Sequence, residues 1–300
     1  MVPMAKNIFF LGKGGVGKST SSALTALHLS QQGFNTRLVS MDPAHNQSDI
    51  FNQKFSEKFT KINENLAVKE VEINKWVQTY LKDMQLQVKR TYSYLTAFNL
   101  ENYLYILKFS PGIEEYALLL AYQAIRSEEA DADYIIFDMP PTALTLKFLT
   151  LPDISLTWLE NLLKLRLKIL EKKEIISRVK LGKKEIETDK IKRKLLQQIE
   201  NYRQLQKIFR DPNQTLLNLV LNTDKLSFSE SQLIVNNLKA YDMRISNIFL
   251  NKYYEGFDIK PIRQQYADYG FQILPQSDTP LLGVNKLSAY LTQIDSFISF

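Results

Sequence analysis

The chain has 300 residues, 45% of them hydrophobic, so it can bury a sizeable core, and its length is at the upper end for one α/β domain. It has no cysteine and only two histidines, which excludes disulfides, thiolate ligands and Cys-based zinc sites. The net charge of +6 comes from residues 161–210, which hold sixteen Lys or Arg against six Asp or Glu. The absence of a long apolar run and of a signal-peptide pattern predicts a cytoplasmic protein.

Short apolar runs predict strands that alternate with helices along the chain. The first strand is followed by a glycine-rich turn and by a helix from Ser19 to about Gln32. This alternation predicts an α/β fold with a mostly parallel sheet and helices on both faces. The predicted strands are Asn7–Leu11, Thr36–Met41, Tyr134–Phe137, Leu216–Asn222, Ile245–Asn251 and Phe271–Leu274.

Two helical stretches interrupt this order, one over about residues 76–126 and one over about 154–210. We interpret them as one α-helical subdomain inserted within a single domain that spans residues 1–300. Between Ile154 and Leu170 the apolar residues form two neighbouring helical stripes, which fits either a groove for an apolar client helix or an ordinary core helix. The basic run around Lys164–Lys194 fits either a solvated helix face or a surface for anionic lipid or nucleic acid.

The run from Gly12 to Ser19 fits the pattern G-x-x-x-x-G-K-[ST] between a strand and a helix. Glycines allow backbone N–H groups and the helix N-terminus to point at phosphate oxygens. Lys18 is predicted to neutralise the β- and γ-phosphates of ATP, and the Ser19 hydroxyl is predicted to bind Mg²⁺. The predicted nucleotide-binding residues of this run are Gly12, Lys13, Gly14, Gly15, Val16, Gly17, Lys18, Ser19 and Thr20.

Three further charged residues are predicted to take part in catalysis or metal binding. Lys13 resembles the signature lysine of deviant Walker A proteins, which reaches the partner's nucleotide in a dimer and would act there as an arginine finger does. The alternative for Lys13 is an exposed, solvated lysine. Asp42 and Asp138 follow predicted strands, where a carboxylate can orient the attacking water or hold Mg²⁺. The alternative for each is a helix cap or turn residue.

Several longer motifs resemble the family of arsenite-pump ATPases and of targeting ATPases for tail-anchored membrane proteins, and they run the length of the chain. Asp42–Asp49 resembles the switch I motif DPAHSLSD, and Asp138–Pro152 resembles switch II. The other matching elements are Ser110–Glu115, which is similar to PGIDE, Phe209–Pro212, Asn251 with Lys252, and the segment that begins at Pro275.

The resemblance implies a P-loop ATPase that opens and closes as a homodimer and couples hydrolysis to a cargo or a membrane partner. It implies that Asp42 activates water, that Asn251 contacts adenine, that Pro275 begins the adenine loop and that Asp138 is the switch II aspartate. The leading expectation is a nucleotide-gated dimeric carrier of hydrophobic membrane-protein clients. The alternatives are an energising subunit of an oxyanion transporter and a positioning ATPase that binds DNA or membrane. The motif match disfavours the last, so nucleic acid is not the expected partner.

The chain also departs from the family pattern. In switch II, Ala143-Leu144 replaces a Gly-His pair, and in switch I, Asn46-Gln47 replaces Ser-Leu, which is the milder change. The CxxC motif through which the targeting dimers bind zinc is absent from Tyr253–Ile262, so no zinc is expected. Because a trithiolate site requires cysteines, direct binding of As(III) is not expected either.

Overall fold

The computed structural model describes residues 5–91, 110, 112–181, 189–294 and 296–300. Residues 92–109 of the first predicted helical stretch, and Pro111 of the PGIDE-like element, lie outside this description. Eight strands are described: β1 Lys6–Leu11, β2 Thr36–Ser40, β3 Thr60–Lys61, β4 Leu66–Glu70, β5 Tyr134–Asp138, β6 Thr215–Asn222, β7 Asn247–Tyr253 and β8 Gly270–Pro275.

The described helices lie between these strands in the chain, as the alternating pattern predicts, except the last, which follows β8. They are α1 Lys18–Gln31, α2 Asn46–Phe51, α3 Ile73–Thr91, α4 Ile113–Glu128, α5 Thr142–Leu181, α6 Lys190–Arg210, α7 Lys225–Lys239, α8 Lys260–Gln265 and α9 Val284–Leu291. None of the helices in the described part of the chain is long and apolar enough to cross a membrane.

The strands form one sheet in the order β3-β4-β2-β5-β1-β6-β7-β8. All neighbouring strands are parallel except β3, a two-residue edge strand that pairs antiparallel with β4. The prediction of an α/β fold with a mostly parallel sheet and flanking helices is confirmed. The six predicted strands are present with ends shifted by at most two residues, whereas β3 and β4 were not predicted.

Strand β1 is central and is buried on both faces, which explains its continuous apolar run. On one face, Phe9 stacks on Phe137 of β5, with ring centroids 4.9 Å apart, and also meets Tyr122 of α4. On the other face, Phe10 meets Phe249 of β7 edge-on in the cluster that includes Leu24 and Leu27 of α1. This packing fixes the C-terminal end of β1, from which the glycine-rich loop leaves.

The chain divides into two compact units, residues 1–148 with 212–300, and residues 149–211. The first unit contains the sheet, and in it α3 and α4 pack together through Val77, Ile113 and Ala117. The single helical subdomain that we expect from residues 76–126 and 154–210 stays a prediction.

In the second unit, α6 and the part of α5 beyond residue 148 pack together. Leu156 and Leu159 of α5 form a core with Ile199 of α6. The side chain of Asp189 caps the N-terminus of α6 by accepting from two backbone N–H groups, and it also pairs with Arg166 of α5 at 2.9 Å. Leu156 and Leu159, from one apolar stripe of α5, are therefore buried against α6, whereas Leu167 of the same stripe is exposed.

Candidate active site

The glycine-rich loop joins β1 to α1, and two of its glycines are required by close contacts. A Cβ at Gly12 would lie 2.4 Å from the carbonyl oxygen of Val220 in β6, so only glycine lets the loop pass the neighbouring strand. Gly17 has φ +95°, and a Cβ there would lie 2.1 Å from Nδ2 of Asn251. The loop is thus held between β6 and the end of β7.

Lys18 lies at the start of α1 and is buried. Its ammonium donates a hydrogen bond to the carbonyl oxygen of Lys13 at 3.3 Å, across the loop. Burial lowers the pKa of Lys18, while the carboxylates of Asp138 and Asp42 raise it. Lys18 is therefore a buried cation between the loop and two acidic side chains, where an anionic phosphate would offset its desolvation.

Asp138 ends β5 and is fully buried. Burial raises the pKa of Asp138 to about 6, while the Ser19 and Gln47 side chains and the Lys18 ammonium act in the opposite direction. Its Oδ2 accepts a hydrogen bond from Gln47 at 2.9 Å. In the described part of the chain its Oδ1 is buried without a hydrogen-bond partner.

Asp42 follows β2 and lies in a tight turn before α2. Its Oδ1 accepts from the backbone N–H of Ala44 at 3.0 Å, and its carbonyl oxygen accepts from the N–H of His45 at 3.1 Å. Asp42 is buried as a residue, and the turn places it in the lining of the cleft. Asp42 is therefore both the turn residue of the alternative reading and a candidate catalytic residue.

Helix α2, the core of the predicted switch I, is fixed by a buried glutamate. Glu70, at the end of β4, accepts from the backbone N–H of Ser48 at 2.9 Å and from its hydroxyl at 2.8 Å. His45 Nδ1 lies 3.8 Å from the same carboxylate. Glu70 was not among the predicted site residues, because β4 was not predicted. Gln47 was predicted to be a mild departure from the family pattern, although a polar residue in place of leucine was a signal.

Most predicted nucleotide-binding residues line one cleft of about 530 Å³ at the C-terminal ends of β1, β2 and β7, within the first unit. This volume is within the range of small-molecule sites. The cleft is lined by Gly14, Gly15, Gly17, Lys18, Ser19, Thr20, Asp42, Ala44, Asn46, Asp49, Ile50, Pro141, Asn251 and Lys252.

Five predicted site residues lie outside this lining. Gly12 and Val16 are buried beneath the loop, Asp138 is buried behind Ser19, and Lys13 is partly exposed beside the loop. Pro275 ends β8, and its carbonyl oxygen accepts from the hydroxyl of Tyr290 at 2.5 Å.

Asn251, the predicted adenine contact, lines the cleft and also holds the loop. Its Nδ2 donates to the carbonyl oxygen of Val16 at 2.8 Å. The side chain therefore ties the end of β7 to the glycine-rich loop, a role that the motif match did not indicate.

The donor atoms around Ser19 fit a hydrated Mg²⁺ ion. Mg²⁺ prefers oxygen ligands and keeps several waters, so it needs few protein groups. The Ser19 hydroxyl lies at the cleft, and two nearby buried oxygens, Asp138 Oδ1 and Gln47 Oε1, have no hydrogen-bond partner in the described part of the chain.

Residues 5–287 match the family model described as anion-transporting ATPase.

Three relatives show the same kinship. The chain is 35% identical to "Putative arsenical pump-driving ATPase 2" of Aquifex aeolicus, over 81% of this chain and 79% of that protein. It is 30% identical to "Putative arsenical pump-driving ATPase" of Prosthecochloris vibrioformis, over 95% and 74%. It is 31% identical to "ATPase ASNA1 homolog" of Plasmodium vivax, over 96% and 78%. With a glycine-rich loop, two aspartates and a family match over residues 5–287, the chain belongs to the anion-transporting ATPase family.

Proposed function

We propose that this protein is a cytoplasmic, Mg²⁺-dependent ATPase that dimerises around ATP and carries hydrophobic membrane-protein clients. The observation that carries the ATPase proposal is the cleft in which the loop glycines, Lys18, Ser19, Asp42 and Asn251 meet. Binding energy for phosphate comes from backbone N–H groups at the N-terminus of α1 and from the buried ammonium of Lys18.

Each charged group has a separate role in this proposal. Asp42 orients the attacking water and takes its proton, Lys18 neutralises the phosphates, and Lys13 of one protomer stabilises the transition state in its partner. Ser19 would hold Mg²⁺ directly, and Asp42 and Asp138 would hold it through water. The ion, when bound, supplies positive charge against the β- and γ-phosphates.

The proposal of a hydrophobic client rests on the second unit. The stripe of α5 that faces away from the α5–α6 core exposes large apolar side chains, and Trp158 is 65% exposed. Single exposed apolar residues are common, but a row of them along one helix marks an interaction surface. The row consists of Ile154, Trp158, Leu165 and Ile169.

A second candidate function is that of an energising subunit for an oxyanion transporter. It is supported by relatives named as arsenical pump-driving ATPases. Because this chain has no cysteine, arsenite would not be bound through thiolates. Stimulation of hydrolysis by a membrane partner, without retention of a hydrophobic tail, would support this candidate.

The ATPase proposal is tested by phosphate release from three variants. We expect the rate of ATP hydrolysis by Lys18→Ala to fall at least about a hundredfold, because the substitution removes charge stabilisation in the transition state. Asp42→Asn should hydrolyse ATP as slowly as Lys18→Ala does, but it should still bind Mg-ATP in an equilibrium titration. Lys239→Ala, which removes an exposed lysine on α7, is the matched control and should keep the wild-type rate. Hydrolysis by Asp42→Asn at the wild-type rate would show that Asp42 does not activate the water.

A further inference from the structure

Gln47 is a fully buried polar side chain in the middle of the predicted switch I. Its Nε2 lies within hydrogen-bond distance of three acceptors: the carbonyl oxygen of Ser19 at 3.0 Å, Ser22 Oγ at 3.1 Å and Asp138 Oδ2 at 2.9 Å. Two of these acceptors belong to α1 and one belongs to β5, whereas Gln47 belongs to α2. One amide therefore joins the phosphate-binding helix, switch I and the switch II aspartate.

The hydrogen bond from Gln47 sets the orientation of the Asp138 carboxylate. Its Oδ2 is taken by Gln47, and its Oδ1 is left without a partner among the described residues. Leucine, which stands here in the family pattern, fills a similar volume but donates no hydrogen bond. Loss of the amide removes one donor from this buried carboxylate, which is costly, and leaves the Ser19 side chain as its stabilising neighbour, so Asp138 is free to rotate.

We propose that Gln47 is a positioning residue that presents Asp138 to Mg-nucleotide and links that geometry to the position of switch I. The inference rests on the proposed function. Since Gln47 is part of α2, displacement of switch I removes the donor from Asp138, so the metal shell and switch I change together. Groups that orient metal-binding side chains typically change metal affinity by about 10- to 100-fold when they are removed.

The test compares nucleotide binding with and without Mg²⁺. Gln47→Met keeps the length of the side chain and removes the donor. The measured quantity is the ratio of the affinity for fluorescent ADP with Mg²⁺ to the affinity in EDTA. We expect this ratio to be at least about tenfold smaller in the variant than in the wild type. The affinity in EDTA alone should change by less than about twofold. The Mg²⁺ concentration for half-maximal hydrolysis should rise by a similar factor, and the KM for ATP at saturating Mg²⁺ should change little. Gln47→Leu is the second variant in case Gln47→Met does not fold.

Two controls separate positioning from packing. Gln272→Met removes another buried amide, which donates to the carbonyl oxygen of Ile273 at 2.9 Å in β8, and it should leave the Mg²⁺ effect unchanged. Ser22→Ala removes one acceptor of Gln47 and keeps the contact with Asp138, so it should also behave as the wild type does.

Three results would overturn the inference. The first is a wild-type Mg²⁺ effect in both Gln47 variants. The second is an equal loss of affinity with Mg²⁺ and in EDTA, since that loss indicates a structural role alone. The third is an absence of nucleotide binding by the wild-type protein, which would overturn the proposed function and this inference with it.

Discussion

At position 17 the backbone and a neighbouring side chain both require glycine. The φ of +95° is in the left-handed region, which costs a residue with a Cβ about 1–2 kcal/mol. A Cβ there would also displace Asn251, whose hydrogen bond to Val16 contributes about 1 kcal/mol. The two penalties have separate causes, so a pair of substitutions can distinguish them.

We expect Gly17→Ala to lower the free energy of unfolding by about 2–3 kcal/mol, measured by urea denaturation without nucleotide. Combining it with Asn251→Ala should remove the clash but keep the backbone penalty, so the effects should not add. The matched control is Gly14→Ala, because a Cβ at Gly14 meets no atom within 4 Å and its φ is not in the left-handed region. Equal destabilisation by Gly17→Ala and Gly14→Ala would refute this account.

The residues that could be predicted from sequence are those whose chemistry requires one residue type at a fixed spacing. Lys18 and Ser19 follow from the loop pattern, and their place in the cleft is where that pattern puts them. Gln47 and Asp138 are 91 positions apart, so their contact depends on the order of β2 and β5 in the sheet and not on local sequence. The second role of Asn251, as a donor to Val16, also depends on tertiary contact.

At the scale of elements, β4 shows why one internal strand of the sheet was not predicted. Its sequence ends in Lys69 and Glu70, which reads as polar, yet both side chains are buried. The Lys69 ammonium lies 5.4 Å from the ring centroid of Phe59 and 3.8 Å from the carboxylate of Glu128, and Glu70 binds Ser48. These partners offset the cost of burial, and none of them is visible in a local apolar pattern. Helix α5 begins at Thr142, earlier than the helical stretch predicted from about residue 154. The difference arises because a proline usually marks a helix boundary, whereas α5 continues through Pro152.

The C-terminal segment packs against α1 through His28, a partly buried histidine. The ring centroids of His28 and Phe297 are 4.6 Å apart, and burial lowers the pKa of His28. The folded state therefore favours the neutral imidazole. The contribution of His28 to the stability of the fold is fully present above the unfolded pKa of about 6.5. It is lost as the pH falls from that value through the lower pKa of the folded state.

We expect the melting temperature of the wild type to fall between about pH 7.5 and pH 5.5 more steeply than that of His28→Gln, which cannot titrate. Calorimetric scans at several pH values measure the difference. Phe297→Ala, which exposes the imidazole, should also reduce the slope. If His28→Gln kept the wild-type pH dependence, other groups would have to account for it.

At the scale of the whole molecule, the class of fold follows from the alternation of apolar runs, but the exposure of each helix face does not. Both stripes of α5 in the second unit are apolar, so periodicity alone cannot tell which one is buried. The structure buries Leu156 and Leu159 against α6, whereas Trp158 and Leu165 are more than half exposed. The sequence leaves open whether the apolar residues serve a client or the core. In the structure the stripe of Trp158 is exposed, whereas the other stripe is buried at Leu156 and Leu159 and exposed again at Leu167.

The role proposed for Lys13 and the exposed stripe of α5 lead to a prediction about dimerisation and client binding. Asp42→Asn should retain Mg-ATP, so light scattering should show its mass change from that of one chain to that of two when Mg-ATP is added. If Lys13 acts in the partner's site, Lys13→Ala in this background should weaken the dimer. A peptide with a single hydrophobic helix should bind only in the ATP state.

Trp158→Ser in the same background tests whether the exposed stripe holds that peptide. Buried aromatic anchors contribute a large share of binding energy, so we expect its affinity for the peptide to fall by at least about tenfold while ATP still drives dimerisation. The matched control is Leu233→Ser, which removes a comparably exposed apolar residue from α7 of the first unit and should bind the peptide as the parent does. Dimerisation with unchanged binding by Trp158→Ser would remove the stripe as the client site and leave the ATPase proposal intact. A mass of one chain at every ATP concentration would contradict the dimeric mechanism itself, because Lys13 could then reach no second nucleotide.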